Sequence, residues 1–140
     1  PTGPPLILLH GFLDQGRSFR FLGPELTDHY RLIAPDHRGH GRSGHMGPGA
    51  TYYFPDYLLD LEALFVHLGL ENAFVAGHSM GASIALYMAG SFPERVRSLL
   101  LLDGIGPQAA DHGVSHMLRF RAYPRQHLAE CISQEAAGIF

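Results

Sequence analysis

The sequence has little of several features that mark whole classes of protein. Among its 140 residues there is one cysteine, Cys131, so no internal disulfide is possible. No apolar run reaches the roughly 20 residues that a membrane-spanning helix needs. Lysine is absent, the arginines form no cluster, and the formal net charge is -3. These absences argue against a disulfide-stabilised domain, a membrane span and a nucleic-acid-binding surface.

Patterns for metal and phosphate sites are also missing. The ten histidines show no HExxH spacing and have no partner cysteines, so no metal is predicted. The segment "GHGRSG" (39–44) lacks the lysine of a phosphate-binding loop and does not open a helix, so no cofactor is predicted. The first residues carry no basic segment of a secretory signal. The lack of such a segment and the lone cysteine, which suits a reducing compartment, together favour a cytoplasmic location.

What the sequence does contain is an alternation of short apolar runs and helical patterns. This alternation is typical of parallel strands joined by crossover helices. Strands are predicted over 5–10, 30–36, 72–78 and 96–103. Helices are predicted over 18–29 (broken or started by Gly23-Pro24), 55–70 and 80–92, with a glycine-rich loop over 37–51. The predicted fold class is therefore α/β with a mostly parallel sheet.

The last part of the chain has a weaker helical periodicity. Two helices are predicted there, around 108–122 and 125–137, and they suggest a lid rather than a helix that covers the sheet. We therefore predict a core over residues 1–106 and the beginning of a helical cap over 107–140.

The central motif is Gly77-His78-Ser79-Met80-Gly81, which fits G-x-S-x-G. An apolar strand ends at its first glycine, and a helix begins just after the serine. So tight a turn strains the serine backbone, lifts the hydroxyl above the sheet edge and needs glycines on both sides. It also aims the Met80 N–H at a developing oxyanion. Although Ser79 could instead cap the helix, this context predicts a nucleophile.

A second motif, "LLHGF", supports the first. It places His10, Gly11 and Phe12 just past the first strand. The Phe12 N–H is the candidate second oxyanion donor, and Gly11 lets the chain pass close to a substrate. His10 is expected to hold this loop by hydrogen bonds rather than to transfer protons. The alternative is a strand that ends in a simple glycine turn.

With both motifs present, the chain closely resembles the α/β-hydrolase superfamily over nearly its whole length. The resemblance rests on "LLHGF", "APDHRGHGRS", "AGHSMGAS" and "FPERVRSLLLLD", taken in this order. The segments "LDGIGP" and "HGFLDQGRSF" lean toward the serine hydrolase-like subgroup. Complete members have eight strands, so the resemblance implies that this chain supplies four and that both of its ends are cut. A four-stranded part would leave an apolar sheet edge uncovered.

The family order of catalytic residues is serine, acid, histidine, with the last two on later strands. Seven histidines of this chain precede Ser79, and His78 should diverge from it on the sharp turn. His37 and His40 belong to a loop that looks structural in the family. The remaining three, His112, His116 and His127, fall in the predicted lid. None matches the family's catalytic histidine, which is therefore expected beyond residue 140.

The catalytic acid is less clearly marked. Asp103 ends the fourth strand, where some superfamily members place the triad acid, although most place it one strand later. Asp103 therefore either orients a histidine or forms the turn before Gly104. Asp36, in "APDHRG", is expected to brace its loop, and Asp14 is given no chemical role.

The identity of the nucleophile separates subfamilies. Haloalkane dehalogenases and epoxide hydrolases use an aspartate at this position to form an alkyl ester, whereas a serine suits acyl transfer. The first hypothesis is a serine hydrolase that acts on a small or medium apolar acyl compound, with no nucleic acid or membrane partner. The second is a catalytically incomplete fragment or a ligand-binding relative, because a serine without its base attacks poorly.

Overall fold

The computed structural model describes residues 3–48 and 52–104. Its four strands, all parallel, are β1 (Pro5–Leu9), β2 (Arg31–Ile33), β3 (Ala73–His78) and β4 (Val96–Leu102). Its α-helices are α1 (Gly23–Leu26), α2 (Phe54–His67) and α3 (Met80–Ser91), and 3-10 helices cover Gly16–Phe21 and Pro93–Arg95. The predicted α/β class is confirmed. The predicted cap lies outside the described residues.

The break predicted at Gly23-Pro24 is confirmed, because a 3-10 helix ends at Phe21 and the four-residue α1 begins at Gly23. Pro24 has no N–H and fits only the start of a helix. Two predicted bounds differ from the structure, since α1 ends at Leu26 rather than near residue 29. The strand predicted over 30–36 pairs with β1 only from Arg31 to Ile33. Two residues further on, Pro35 cannot donate a hydrogen bond to the ladder, and the chain turns away from the sheet.

The order of strands in the sheet is β2-β1-β3-β4. From β1 the chain therefore moves to one side of the sheet for β2, and from β3 it moves to the other side for β4. Leu9 at the end of β1 is in register with Gly77 near the end of β3. The loops that follow these two strands emerge side by side at the point where the chain changes direction. In open α/β sheets this is where ligands bind.

The strand β1 lies in the middle of three layers. Its residues Ile7 and Leu9 belong to the apolar cluster formed with α2 and α3. Its residues Leu6 and Leu8 belong to a second cluster on the other face, formed with the 3-10 helix and α1. All four side chains are at most 9% exposed. Burial on both faces explains why this strand reads as a continuous apolar run in the sequence.

The strand β4 forms one edge of the sheet. Within the described part of the chain it pairs with β3 alone. Its side chains Leu100, Leu101 and Leu102 are 56%, 40% and 40% exposed. This is an apolar sheet edge of the kind the sequence predicts. Separately, none of the helices in the described ranges is long and apolar enough to cross a membrane.

Candidate active site

Ser79 lies on the sharp turn between β3 and α3. Its backbone is left-handed, with φ of 52° and ψ of -115°, and its side chain makes no capping hydrogen bond to the helix. The Ser79 N–H donates to the carbonyl of Leu102 at 2.9 Å, which ties the turn to β4. The cost of such a backbone at a non-glycine residue is of order 1–3 kcal/mol. A capping hydrogen bond does not offset this cost, because the Ser79 hydroxyl makes none.

The glycines around Ser79 are required by close backbone packing. A Cβ atom on Gly77 would lie 2.2 Å from the carbonyl oxygen of Gly81, and one on Gly81 would lie 2.2 Å from the carbonyl oxygen of Leu9. Such separations are far inside van der Waals contact, so any side chain here would force the backbone apart. The absence of side chains lets the first turn of α3 rest directly on the end of β1.

The loop after β1 lies against the serine. A Cβ atom on Gly11 would be 3.3 Å from the Ser79 Cβ and 3.1 Å from the His78 Nδ1. The N–H groups of Phe12 and Met80 donate to no acceptor in the described part of the chain. The structure therefore brings together Ser79 and both backbone segments that the sequence analysis assigned to the oxyanion hole.

Three histidines are packed together behind this loop. The ring centroid of His10 lies 4.3 Å from that of His37 and 5.2 Å from that of His40. All three side chains are at most 8% exposed. His37 and His40 belong to the glycine-rich loop after β2, so the cluster joins two loops that are 27 residues apart in sequence.

The hydrogen bonds assign one neutral tautomer to His10. Its Nε2 accepts the His37 N–H at 2.9 Å, so its proton lies on Nδ1, which donates to the Gly11 carbonyl at 2.7 Å. The Nε2 of His37 in turn donates to the His10 carbonyl at 3.2 Å. Burial lowers the pKa of His10 and lowers the pKa of His37 from 6.5 to about 4. Both rings are therefore neutral at pH 7.

The loop after β2 is braced by charged side chains. The Asp36 carboxylate accepts the N–H of Gly16 at 2.7 Å and that of Arg42 at 2.8 Å. The hydrogen bond from Arg42 is the main reason that the pKa of Asp36 is lowered. The Arg38 guanidinium donates twice to Asp60, at 2.6 and 2.7 Å, and this bidentate pair attaches the loop to α2.

Asp103 lies directly after β4, beside the turn that holds Ser79. Its backbone is left-handed, with φ of 50°, and a Cβ atom on the adjacent Gly104 would lie 3.5 Å from the Ser79 carbonyl oxygen. The carboxylate of Asp103 is exposed and makes no hydrogen bond with the described residues. The structure thus places Asp103 near the serine backbone and joins it to no histidine among the described residues.

No histidine in the two described segments is hydrogen-bonded to Ser79. The exposed ring of His78 lies against Gly11 instead. The three histidines predicted in the lid, His112, His116 and His127, lie outside the described residues. Nor do the ranges 3–48 and 52–104 contain three or more His, Cys, Asp or Glu side chains arranged so that they could hold a metal ion.

Backbone strain marks the site more widely than the sequence indicated. Three non-glycine residues within the described ranges have positive φ, and they are Leu13, Ser79 and Asp103. One follows the candidate oxyanion residue Phe12, one is the candidate nucleophile and one is the candidate acid. The G-x-S-x-G motif indicates the strain at Ser79, and the Asp103-Gly104 pair is a turn signature, whereas the positive φ of Leu13 was not predicted.

A cavity of about 470 Å³ lies near this edge of the sheet, but Ser79 does not line it. Leu9, His37 and Tyr57 are among its walls, and the loop after β2 forms its rim.

Comparison with known proteins agrees with this geometry. The sequence model of a family described as alpha/beta hydrolase fold matches residues 4–130. The chain belongs to this family. It is 31% identical to a human serine hydrolase-like protein over 139 residues, which are 99% of this chain and 68% of that protein.

Among solved structures, this α/β hydrolase is similar to a hypothetical protein from Pseudomonas aeruginosa, with 38% identity and a TM-score of 0.71 over 98% of this chain and 45% of that one. It is also similar to an epoxide hydrolase from an endophytic Streptomyces, with 36% identity and a TM-score of 0.66 over 71% of this chain and 30% of that one. The chain spans less than half the length of either structure.

Proposed function

We propose that this chain is the nucleophile-bearing part of a serine hydrolase that cleaves a carboxylic ester or a related acyl bond. The observation that carries the proposal is the geometry of Ser79. This serine is held in a left-handed backbone at the start of α3, and its hydroxyl is not used as a helix cap. The loop after β1 packs against its Cβ.

In the proposed reaction the Ser79 Oγ attacks the carbonyl carbon of the ester. A bond forms between Oγ and carbon, the carbonyl oxygen becomes negative, and the serine proton passes to a base. The N–H groups of Phe12 and Met80 would donate to that oxygen, which is the usual way such charge is stabilised. When the carbon–oxygen bond to the alkoxy group breaks, the base passes its proton to the alkoxy oxygen and a neutral alcohol leaves. The resulting acyl-enzyme is then hydrolysed by water, which releases the acid and restores Ser79.

The proposed nucleophile also favours one of the chemistries found on this fold. Opening an epoxide through a covalent intermediate needs a carboxylate that forms an alkyl ester, whereas a serine attacking a carbonyl forms an acyl ester. The similarity to an epoxide hydrolase therefore supports the shared scaffold, and Ser79 supports acyl transfer. We propose a small or medium apolar acyl compound as the substrate, with no cofactor and no metal.

The proposed triad is incomplete within the described residues. Asp103 is the candidate acid, although its left-handed backbone fits a turn residue as well. The proposed base is a histidine that lies beyond residue 140 in the parent protein. A specific observation favours the second candidate function, a ligand-binding or catalytically incomplete chain: no described histidine bonds to Ser79.

Mass spectrometry of the 140-residue chain after reaction with p-nitrophenyl butyrate tests the proposal. We expect a butyryl group on Ser79 and slow turnover, because an oxyanion hole promotes attack on an activated ester while deacylation lacks its base. Ser79→Ala should abolish the adduct, and Ser98→Ala, which changes an exposed serine of β4, should keep it. Absence of an adduct on Ser79 contradicts the proposal, and rapid turnover that needs Ser79 shows that this chain contains its own base.

A further inference from the structure

The orientation of the Phe12 amide depends on the two peptide units that flank it. Its N–H shares a rigid peptide plane with the Gly11 carbonyl, and its own carbonyl shares the next plane with the Leu13 N–H. Fixing both planes fixes the direction in which the Phe12 N–H points. The positive φ of Leu13, 58°, shows that the second plane is held in a conformation that costs free energy.

A different histidine contacts each of these planes. The His10 Nδ1 donates to the Gly11 carbonyl at 2.7 Å, which fixes the first plane. The Leu13 N–H donates to the His40 Nε2 at 3.2 Å, which fixes the second. We propose that His40 is a positioning residue that holds the Phe12 N–H in place as an oxyanion donor; this inference rests on the proposed function.

The ring of His40 is itself held in place. Its Nδ1 donates to the Arg38 carbonyl at 3.0 Å, and the Arg38 guanidinium is paired with Asp60 on α2. The ring also packs edge-on against Phe12, with the centroids 5.8 Å apart. With Nδ1 as the donor, Nε2 carries no proton and is free to accept the Leu13 N–H. The imidazole of His40 therefore connects Arg38, which is paired with Asp60 on α2, to the loop after β1.

Substitutions at His40 separate its hydrogen bonds from its packing. In His40→Gln the amide oxygen reaches about as far as Nε2, so an acceptor for Leu13 remains. In His40→Asn the shorter amide can donate to the Arg38 carbonyl but cannot reach Leu13. His40→Phe keeps an aromatic ring against Phe12 and loses both hydrogen bonds. Circular dichroism of each variant establishes that it is folded.

The first measurement is the hydrogen-exchange rate of the Leu13 amide in the full 140-residue chain, followed by NMR. It needs no reaction at Ser79, so it decides the inference even if the proposed function is wrong. We expect exchange to be about tenfold faster or more in His40→Phe and His40→Asn, and close to the original rate in His40→Gln. An unchanged rate in His40→Phe overturns the inference.

The second measurement is the acylation rate of Ser79 by p-nitrophenyl butyrate as a function of ester concentration. Removal of a whole oxyanion donor costs about 10²–10³ in rate, so misdirecting one should lower the maximal rate by about tenfold or more. The half-saturating ester concentration should change less than about twofold, and His40→Gln should recover most of the rate. Equal losses in His40→Gln and His40→Phe would overturn the inference, whereas no acylation of the unsubstituted chain would count against the proposed function alone.

Discussion

The free energy of unfolding should depend on the protonation of His37. This side chain is 8% exposed, and burial lowers its pKa from 6.5 in the unfolded chain to about 4 in the fold. Between pH 6.5 and about pH 4, His37 therefore binds a proton in the unfolded state but not in the folded state. The stabilisation is fully present above pH 6.5, is lost progressively as the pH falls, and is gone below about pH 4.

The size of this effect follows from the difference between the two pKa values. One pKa unit corresponds to about 1.4 kcal/mol, so the whole shift is worth about 3 kcal/mol. At pH 5 the unfolded chain holds the proton and the folded chain does not, and the loss is already about 2 kcal/mol relative to pH 7.5. Other groups with lowered pKa values, such as Asp36, add to the acid sensitivity of the whole protein.

Urea unfolding at pH 7.5 and pH 5 measures the effect, with His37→Gln as the variant. A glutamine amide can still donate to the His10 carbonyl but does not titrate, so the variant should lose about 2 kcal/mol less on acidification than the original chain. The matched control is His29→Gln, which replaces an exposed histidine and leaves the buried His37 in place. If His37→Gln and the original chain lose the same free energy within about 0.5 kcal/mol, the reasoning is refuted.

Two further predictions concern packing and charge. Gly81→Ala should destabilise the chain by about 3 kcal/mol or more in urea unfolding, because the new Cβ would lie 2.2 Å from the Leu9 carbonyl oxygen. The control Gly44→Ala, which has open space around it, should change stability by less than about 0.5 kcal/mol. Similar losses of stability in both variants would contradict the packing argument. Arg95→Met should cost about 2 kcal/mol by the same measurement, because Arg95 donates to the Glu62 carboxylate at 2.7 and 3.0 Å and that side chain is only 9% exposed. The double variant that also carries Glu62→Met should recover most of this loss, and no recovery would show that the buried charge is not the cause.

Much of the fold could be predicted because its strands and helices carry strong local patterns. The apolar run of β1 indicates burial on both faces, and both of its faces lie in apolar clusters. The helix predicted over 55–70 is close to α2, which spans Phe54–His67. The break at Gly23-Pro24 was predicted, but the helix that starts there ends at Leu26, earlier than predicted. The strand predicted over 30–36 was also too long, because its hydrophobic pattern continues past Ile33 and does not show that Pro35 lacks an N–H.

The candidate site was predictable only in part. The glycines on either side of Ser79 indicate a close turn. A side chain on Gly77 would clash with the Gly81 carbonyl, and one on Gly81 would clash with the Leu9 carbonyl. The contact between His40 and Leu13 has no local signature. The two residues are 27 positions apart, and the glycine-rich loop that carries His40 predicts flexibility rather than a partner. The left-handed backbone of Leu13 was likewise not predicted from the sequence and is seen only in the three-dimensional structure.

The sequence by itself determined the α/β class and the strand–turn–helix setting of Ser79, because both depend on residues that are neighbours along the chain. It also excluded an internal disulfide, because the chain has one cysteine. Only the tertiary structure decided that His10, His37 and His40 form one buried cluster and that this cluster holds the loop beside Ser79. The physical reason is the order of the strands. Since β1 lies between β2 and β3, the loops after all three strands meet at one edge, and that meeting depends on strand pairing rather than on local composition.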